Sequence, residues 1–223
     1  MEFCIFVVKY LTMKEQILLG TLLGDGYIGK LQGRSKSYSI KWEHCLEQEE
    51  YALWKAKNSL DNYSVYKRSR LDSRTNNTYN SIICYSTKDD YKYYRELFYK
   101  QDKQVTQEIL DKLEPLGIAV WFMDDGNLYY NGNNCHLTLS VNGFNKESVD
   151  RIITYFQEKF NIYFKKIGKA IRITSVKQVE LFESYFKEFY HDSMIYKTLD
   201  KQKEKHNENL SNERKRCRNT KYR

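Results

Sequence analysis

Apolar and polar positions follow the same pattern twice along this chain of 223 residues. An apolar helical run ends in Asp-Gly at residues 18–26, LLGTLLGDG, and another does so at residues 118–126, IAVWFMDDG. After each run come loop sequence, an alternating strand and an amphipathic helix. The predicted strands are residues 38–44 and 136–142, and the predicted helices are residues 49–60 and 146–160. Two copies of one pattern predict a duplicated fold.

Each half then continues with a candidate hairpin and one more helix. These elements are predicted at residues 65–74, 79–86 and 89–99 and at residues 163–166, 170–174 and 176–190, with turns at Asn76-Asn77 and Gly168. The order αββαββα therefore occurs twice, which predicts an α+β fold with two halves related by a pseudo-two-fold axis. We expect repeats at residues 13–103 and 104–199 and a basic tail at residues 200–223.

The positive charge of the chain is unevenly placed. There are 37 Lys+Arg against 29 Asp+Glu, for a formal charge of +8. Three strand-and-turn segments are basic, with +4 at residues 30–41, +3 at residues 64–74 and +4 at residues 162–172. The tail carries +5, so the rest of the chain has a net negative charge. Basic strands favour nucleic acid as the partner, and an anionic membrane is disfavoured because no strongly amphipathic basic helix precedes the tail. The tail, helical or disordered, adds non-specific phosphate contacts or only solubility.

Basic side chains in these three segments and asparagines in the Asn-rich fourth loop are the candidate DNA-binding residues, because asparagine pairs best with adenine. They are Lys30, Arg34, Lys36, Lys41, Lys67, Arg68, Arg70, Arg74, Asn131, Asn133, Lys165, Lys166, Lys169 and Arg172. The competing interpretation is an ordinary solvated sheet face, which also carries charged residues.

The five cysteines are odd in number and contain no C-x-x-C pair, which argues against a zinc ribbon and a disulfide framework. They favour a reducing, intracellular compartment. The sixteen asparagines, twenty tyrosines and one proline suggest an A+T-rich source, so we expect either an organelle or the bacterial cytoplasm. The apolar residues 3–11 are too short to span a bilayer. We expect a strand or a docked arm there, with Met13 as an alternative start, and no membrane-spanning segment elsewhere.

The two Asp-Gly runs make specific structural demands. Gly20 and Gly24 are four residues apart on one helical face, which allows a second helix to approach closely. Gly26 is expected to end its helix in the left-handed conformation. Asp25 then lies at a helix C-terminus, where a carboxylate is disfavoured by roughly 0.3–1 kcal/mol unless a cation is present. With the matching Asp125, two carboxylates and nearby carbonyl groups make an oxygen-rich site that suits Mg²⁺.

These residues resemble the LAGLIDADG homing endonucleases in the form that carries both motifs on one chain. The likeness rests on LLGTLLGDG followed by Tyr27-Ile28, and on IAVWFMDDG preceded by Leu116-Gly117, and it extends over roughly residues 14–199. The resemblance implies a saddle formed by two antiparallel sheets that lie in the DNA major groove. It also implies that Asp25 and Asp125 bind divalent metal and cut one strand each, leaving 3′ overhangs.

The resemblance implies further site residues. Lys103 and Lys197 follow the last helix of each half, where family members place a catalytic lysine, although a surface role is a close alternative for both. His44 and Asn142 stand where the family usually has glutamine, and His44 is more often structural in such a position. Gly24 and Asp124 complete the candidate metal set, although the resemblance has Asp124 facing elsewhere.

The implied cofactor is Mg²⁺, with Mn²⁺ as a substitute and Ca²⁺ binding without cleavage. The implied partner is a long, asymmetric double-stranded DNA target cut by a monomer, and the alternative is an RNA-binding intron maturase or another non-cleaving module on the same scaffold. We also expect an asymmetric seam between the motif helices, with Ala119 and Met123 where the first helix has its glycines and with Trp121 and Phe122 pointing away.

Overall fold

A computed structural model of the chain describes residues 12–31, 33 and 36–220, with side chains up to residue 212. Some expectations fall outside the described part and stay predictions. They concern the apolar run at residues 3–11, which includes Cys4, and also Arg34 and the Cys217 side chain. Cys45, Cys84 and Cys135 are free thiols. Over the described residues, no helix combines the length and the apolar character that crossing a bilayer requires.

The first half begins with helix α1, whose start is fixed by a reciprocal pair of hydrogen bonds between Thr12 and Glu15. Its elements are α1 (Met13–Leu23), β1 (Tyr27–Ile28), β2 (Tyr38–Cys45), α2 (Glu49–Ser59), β3 (Ser64–Asp72), β4 (Asn77–Lys88) and α3 (Tyr91–Phe98). The predicted hairpin is therefore present, and its turn contains Asn76 in the left-handed region at φ 55°.

The second half repeats this order after a short extra helix. Its elements are α4 (Gln107–Asp111), α5 (Pro115–Asp125), β5 (Gly126–Tyr130), β6 (Cys135–Ser140), α6 (Lys146–Phe160), β7 (Lys165–Ile167), β8 (Ala170–Ile173), α7 (Val176–Phe186) and α8 (Leu199–Thr220). The order αββαββα thus occurs twice, as predicted. The domain boundaries at residues 103 and 199 stay predictions.

Each half contains one four-stranded antiparallel sheet, with strand order β1-β2-β4-β3 in the first and β5-β6-β8-β7 in the second. Alternate residues of these strands are buried against the helices, among them Trp42 and Cys84 in the first sheet and Leu139 and Ile171 in the second. We call this side of each sheet the core face and the opposite side the outer face. The predicted α+β class with two antiparallel sheets is confirmed.

Three stretches differ from the sequence prediction. The segments β1 and β5, which were expected to be loops, pair with the following strands, because their few residues are too short to show alternation. Helix α7 ends at Phe186 and continues as a single 3₁₀ turn. The tail, for which helix and disorder were both left open, begins as the helix α8, and its His206 packs edge-on against Tyr130 of β5.

Helices α1 and α5 pack against each other along a seam of small residues. A β-carbon at Gly20 would overlap the Gly117 carbonyl oxygen and Val120, and one at Gly24 would overlap Asp124. The seam is asymmetric as expected, but the residues opposite the glycines are Gly117, Val120 and Asp124, so the expectation that Ala119 and Met123 take the place of the glycines was wrong.

The two bulky residues of the second motif point away from the seam, as predicted. Trp121 contacts Phe144 and Phe156, and Phe122 contacts Phe182. These rings belong to the core of the second half, so the second motif helix anchors the aromatic core of its own half.

The glycines after the two acids have another role than the one predicted. Neither Gly26 nor Gly126 has a positive φ. A β-carbon at Gly26 would lie 2.6 Å from the Thr21 carbonyl oxygen, and one at Gly126 would overlap Phe122. The expectation of a left-handed helix end was therefore wrong, and glycine is needed because the chain folds back closely onto the helix.

Candidate active site and DNA-facing surface

The two motif acids lie at corresponding ends of the packed helices. Asp25 follows the last turn of α1, and Asp125 is the last residue of α5. Burial, followed by the charge of Asp124, raises the pKa of Asp25 to about 7. Burial and the same neighbour raise the pKa of Asp125 to about 6. Burial is the largest cause of both shifts, so a carboxylate charge is disfavoured at each of the two positions.

A buried lysine contacts the end of each motif helix. The Nζ of Lys103 donates to the carbonyl oxygens of Gly24, at 3.2 Å, and Gly26, at 3.4 Å. The Nζ of Lys197 donates to the Met123 carbonyl oxygen at 2.5 Å. Burial lowers the pKa of both lysines. The structure therefore brings both predicted lysines to the acids.

Acids from both halves raise the pKa of each of these lysines. Among the motif acids, Asp125 raises the pKa of Lys103 most, whereas Asp124 and then Asp25 act most on Lys197. Each lysine therefore binds the backbone of its own half and lies in the field of acids from both halves.

His44 lies on the core face of β2 with its ring between the acids. Its Nδ1 is 3.7 Å from Asp25 Oδ2, and its Nε2, which has no hydrogen-bond partner among the described residues, is 3.8 Å from Asp124 Oδ1. Burial, followed by the charge of Lys55, lowers the pKa of His44 to about 4, so the ring is neutral. Gln48 binds Nδ1 at 2.9 Å and donates to the Tyr196 hydroxyl of the second half.

Asn142 does not occupy a position equivalent to His44. It lies exposed in the turn after β6. Strand register relates Tyr27 to Lys41 in the first sheet and Asn127 to Thr138 in the second, so the residue that corresponds to His44 is Val141. Val141 is buried and apolar, so it is no counterpart of His44 in chemistry. The structure therefore brings His44 to the acids but leaves Asn142 outside the site.

Asp124 lies in the helix seam, where the resemblance had placed it facing elsewhere. Its carboxylate is fully buried and accepts hydrogen bonds from Lys55 Nζ at 2.7 and 2.9 Å and from the Tyr51 hydroxyl at 2.8 Å. Neither Lys55 nor Tyr51 was predicted from the sequence as a site residue. The available signal was a lysine on the buried stripe of α2, four residues from both Tyr51 and Ser59.

The donor set fits a hard divalent cation. Asp25 and Asp125 offer carboxylate oxygens, the ligands that Mg²⁺ prefers. Burial and the Asp124 charge raise the pKa of both acids, and a bound cation would favour their charged forms. The Gly24 carbonyl already accepts from the Lys103 ammonium group, which makes it a poor neighbour for a metal ion. Among the described residues, Asp25, His44 and Asp124 also bring three potential ligand atoms within 4.8 Å of one another.

The outer face of the first sheet continues directly from Asp25. A cleft beside this acid is lined by Tyr27, Lys41, Glu43 and Arg68. Arg68 donates two hydrogen bonds to the Glu43 carboxylate. Arg70 lies opposite Tyr79 on the same face, and Arg74 pairs with Asp72 at the turn.

The outer face of the second sheet carries a row of polar side chains. Strand pairing aligns Asn127, Thr138, Arg172 and Lys165 across all four strands. The Nε of Arg172 is buried and has no hydrogen-bond partner among the described residues. The outer face of this sheet therefore carries Arg172 with an unpaired guanidinium donor.

Two of the candidate DNA-binding lysines lie on the other side of their sheets. Lys67 is opposite Ile82 on the core face and binds Glu49 of α2 at 2.8 Å. Lys166 is opposite Ile171 on the core face, although its side chain is exposed. They lie on a different side from the other strand candidates because a segment charge does not distinguish the two faces of a strand, and their role in DNA binding stays a prediction.

The remaining candidates lie in turns. Lys30 and Lys36 are exposed in the connection between β1 and β2, and Lys169 is exposed in the turn between β7 and β8. In the turn after β5, Asn131 accepts from the Asn134 backbone, while Asn133 is exposed. These positions are compatible with DNA contact.

The two packed helices each place one acid between two sheets whose outer faces are polar and basic. This arrangement is that of a nuclease of the homing endonuclease class. The LAGLIDADG DNA endonuclease family model matches residues 15–182. The chain belongs to this family, which confirms the resemblance predicted from its two motifs.

Individual relatives agree with the family. The chain is 30% identical over 207 residues to a probable intron-encoded endonuclease 1 of Wickerhamomyces canadensis, covering 84% of each protein. It is similar to the homing endonuclease I-WcaI bound to its DNA recognition sequence, with a TM-score of 0.73, 25% identity, and coverage of 85% of this chain and 87% of the other. It is also 27% identical over 153 residues to a cytochrome b mRNA maturase bI2 of Debaryomyces hansenii, covering 66% of this chain and 56% of the maturase.

Proposed function

We propose that this chain is a monomeric homing endonuclease that cuts both strands of a long, asymmetric double-stranded DNA target. The proposal is carried by the placement of Asp25 and Asp125 at corresponding ends of two packed helices. One acid serves each strand, and one chain supplies both acids, so no second copy is required. The outer faces of the two sheets bind the duplex on either side of the acids.

Asp25 and Asp125 would hold the divalent cation. When bound, Mg²⁺ supplies Lewis-acid stabilisation of the charge that develops on the scissile phosphate, with Mn²⁺ as a substitute and Ca²⁺ supporting binding without cleavage. Lys103 and Lys197 are held by backbone carbonyls and direct ammonium charge toward the same phosphates. His44 is neutral, so its ring is available to accept a proton, and Gln48 fixes the ring orientation.

Cleavage selection on a random DNA library with Mg²⁺ tests the activity and identifies the target together. We expect double-strand breaks with short 3′ overhangs, which sequencing of the product ends would reveal. Asp25→Asn and Asp125→Asn should each abolish double-strand cleavage and leave DNA binding in Ca²⁺ intact, because each removes one carboxylate charge from the site. Asp150→Asn, an exposed acid on α6 that pairs with Lys146, is the matched control and should cut normally. Full double-strand cleavage by either motif variant would refute the assignment.

The alternative function is that of a maturase, and the similarity to a cytochrome b mRNA maturase supports this alternative. The same basic sheets could bind structured intron RNA through its phosphates. Purified protein would be added to its host intron RNA and splicing would be followed with and without protein. Promotion of splicing by protein that cuts no DNA in Mg²⁺ would replace the endonuclease proposal.

A further inference from the structure

The most unusual feature near the acids is a fully buried ion pair. The side chains of Lys55 and Asp124 are both completely inaccessible to solvent, and Lys55 Nζ contacts both carboxylate oxygens. Burying two charges costs several kcal/mol per ion before their attraction is counted, and apolar residues of similar volume often serve stability as well. Stability is therefore a weak reason for this pair to be present.

The ion pair occurs on one side of the pseudo-two-fold axis only. Asp124 occupies the position in the second motif that Gly24 occupies in the first. Lys55 and Ile152 occupy equal positions counted from the first residues of α2 and α6, and Ile152 is buried and apolar. The symmetry-related position, beside Asp125, is thus occupied by a glycine and an isoleucine.

Asp124 connects this pair to the backbone of the first catalytic acid. Its Oδ2 accepts a hydrogen bond from the Asp25 backbone N–H at 3.3 Å, across the helix seam. The Tyr51 hydroxyl lies 2.8 Å from Asp124 Oδ1 and 3.2 Å from the Val120 carbonyl oxygen, so α2 fixes the carboxylate from a second direction. The position of Asp25 is therefore coupled to α5 and α2.

We propose that Lys55 and Asp124 are positioning residues for Asp25, and that the two DNA strands consequently depend on this pair to different extents. Asp124 holds the Asp25 backbone, and Lys55 neutralises and orients Asp124. This inference rests on the proposed endonuclease function.

A competing role for Asp124 is that of a metal ligand together with Asp25 and His44, whose ligand atoms lie close by. The Lys55 ammonium group contacts both Asp124 oxygens, so a cation bound there would lie beside an existing positive charge. The geometry favours positioning over metal binding. The two roles differ in what they predict for the metal requirement.

The test is strand-resolved single-turnover cleavage of a duplex labelled on each strand. Nicking by Asp25→Asn and Asp125→Asn first identifies the strand that each acid serves. The double variant Lys55→Met/Asp124→Ala removes both buried charges together. We expect cleavage of the Asp25 strand to slow at least about tenfold more than cleavage of the Asp125 strand, because small misplacements of a catalytic group are costly. The Mg²⁺ concentration for half-maximal rate should stay within about twofold of the wild-type value, because the metal ligands Asp25 and Asp125 are retained.

Asp124→Asn keeps the side-chain volume and an acceptor oxygen and should give a smaller bias of the same sign, which provides a second variant if the double variant does not fold. Ile152→Ala, at the counterpart position, controls for general loss of packing and should show no bias toward the Asp25 strand. Equal slowing of both strands, or a large rise in the required Mg²⁺, would overturn the proposal. Wild-type protein that cuts neither strand would instead refute the endonuclease function itself.

Discussion

At the scale of single residues, the burial of Lys103 and Lys197 determines how strongly their charges act on a phosphate. Lys197 is 8% exposed, and burial lowers the pKa of its ammonium group, although the neighbouring acids oppose that effect. A charge held in a site with little water acts more strongly on a phosphate than a charge on the surface. Lys197 should therefore contribute to the rate of cleavage more than to DNA affinity.

Lys197→Met keeps most of the side-chain volume and removes the charge. We expect the single-turnover cleavage rate to fall by about 10²–10³, the loss typical of removing one preorganised donor, with DNA affinity nearly unchanged. Lys187→Met, which removes an exposed lysine paired with Asp200 in the same region, should cut at the wild-type rate. A wild-type rate for Lys197→Met would show that this lysine is only structural.

At the scale of helices and strands, the contact between α1 and α5 depends on glycine. Gly20 lies against the Gly117 backbone, where no side-chain rotation can relieve an added methyl group. Gly20→Ala should lower the free energy of unfolding by about 3 kcal/mol, measured by urea denaturation, since overpacking of this kind strains the backbone. Gly143→Ala, where a β-carbon meets nothing within 4 Å, should change it by less than about 0.5 kcal/mol. Equal stability of the two variants would contradict the close packing of the seam.

The elements were predictable from sequence where each carries its own periodicity. The helix at Lys146–Phe160 matched its predicted range because its apolar positions recur at helical spacing. The contacts between elements were not predictable in this way. Which residues of α5 face Gly20 depends on the rotation of one helix against the other, and Ala119 was therefore misplaced. Lys55 was missed for the same reason, since its partner Asp124 comes from a helix in the other half.

At the scale of the whole molecule, the two faces of the sheets divide the basic residues into two groups. Arg172 lies on the outer face with Thr138 and Lys165, whereas Lys67 lies on the core face and is paired with Glu49. Both Arg172 and Lys67 lie in segments whose net charge is positive, and the net charge of a segment is the same whichever face of the strand a side chain occupies. If the outer faces bind the duplex, only the first group releases counterions when DNA binds.

The dependence of DNA affinity on salt concentration tests this division. Binding of a duplex that contains the selected target would be measured over a series of salt concentrations without divalent metal. Arg172→Ala should reduce the slope of log affinity against log salt concentration by about 1, because one phosphate contact is lost. Lys67→Ala should leave the slope unchanged, since Lys67 faces α2. An unchanged slope for Arg172→Ala would mean that this side chain does not contact a phosphate, and a reduced slope for Lys67→Ala would mean that the core-face lysine does. Either result would contradict the division of the basic residues by face.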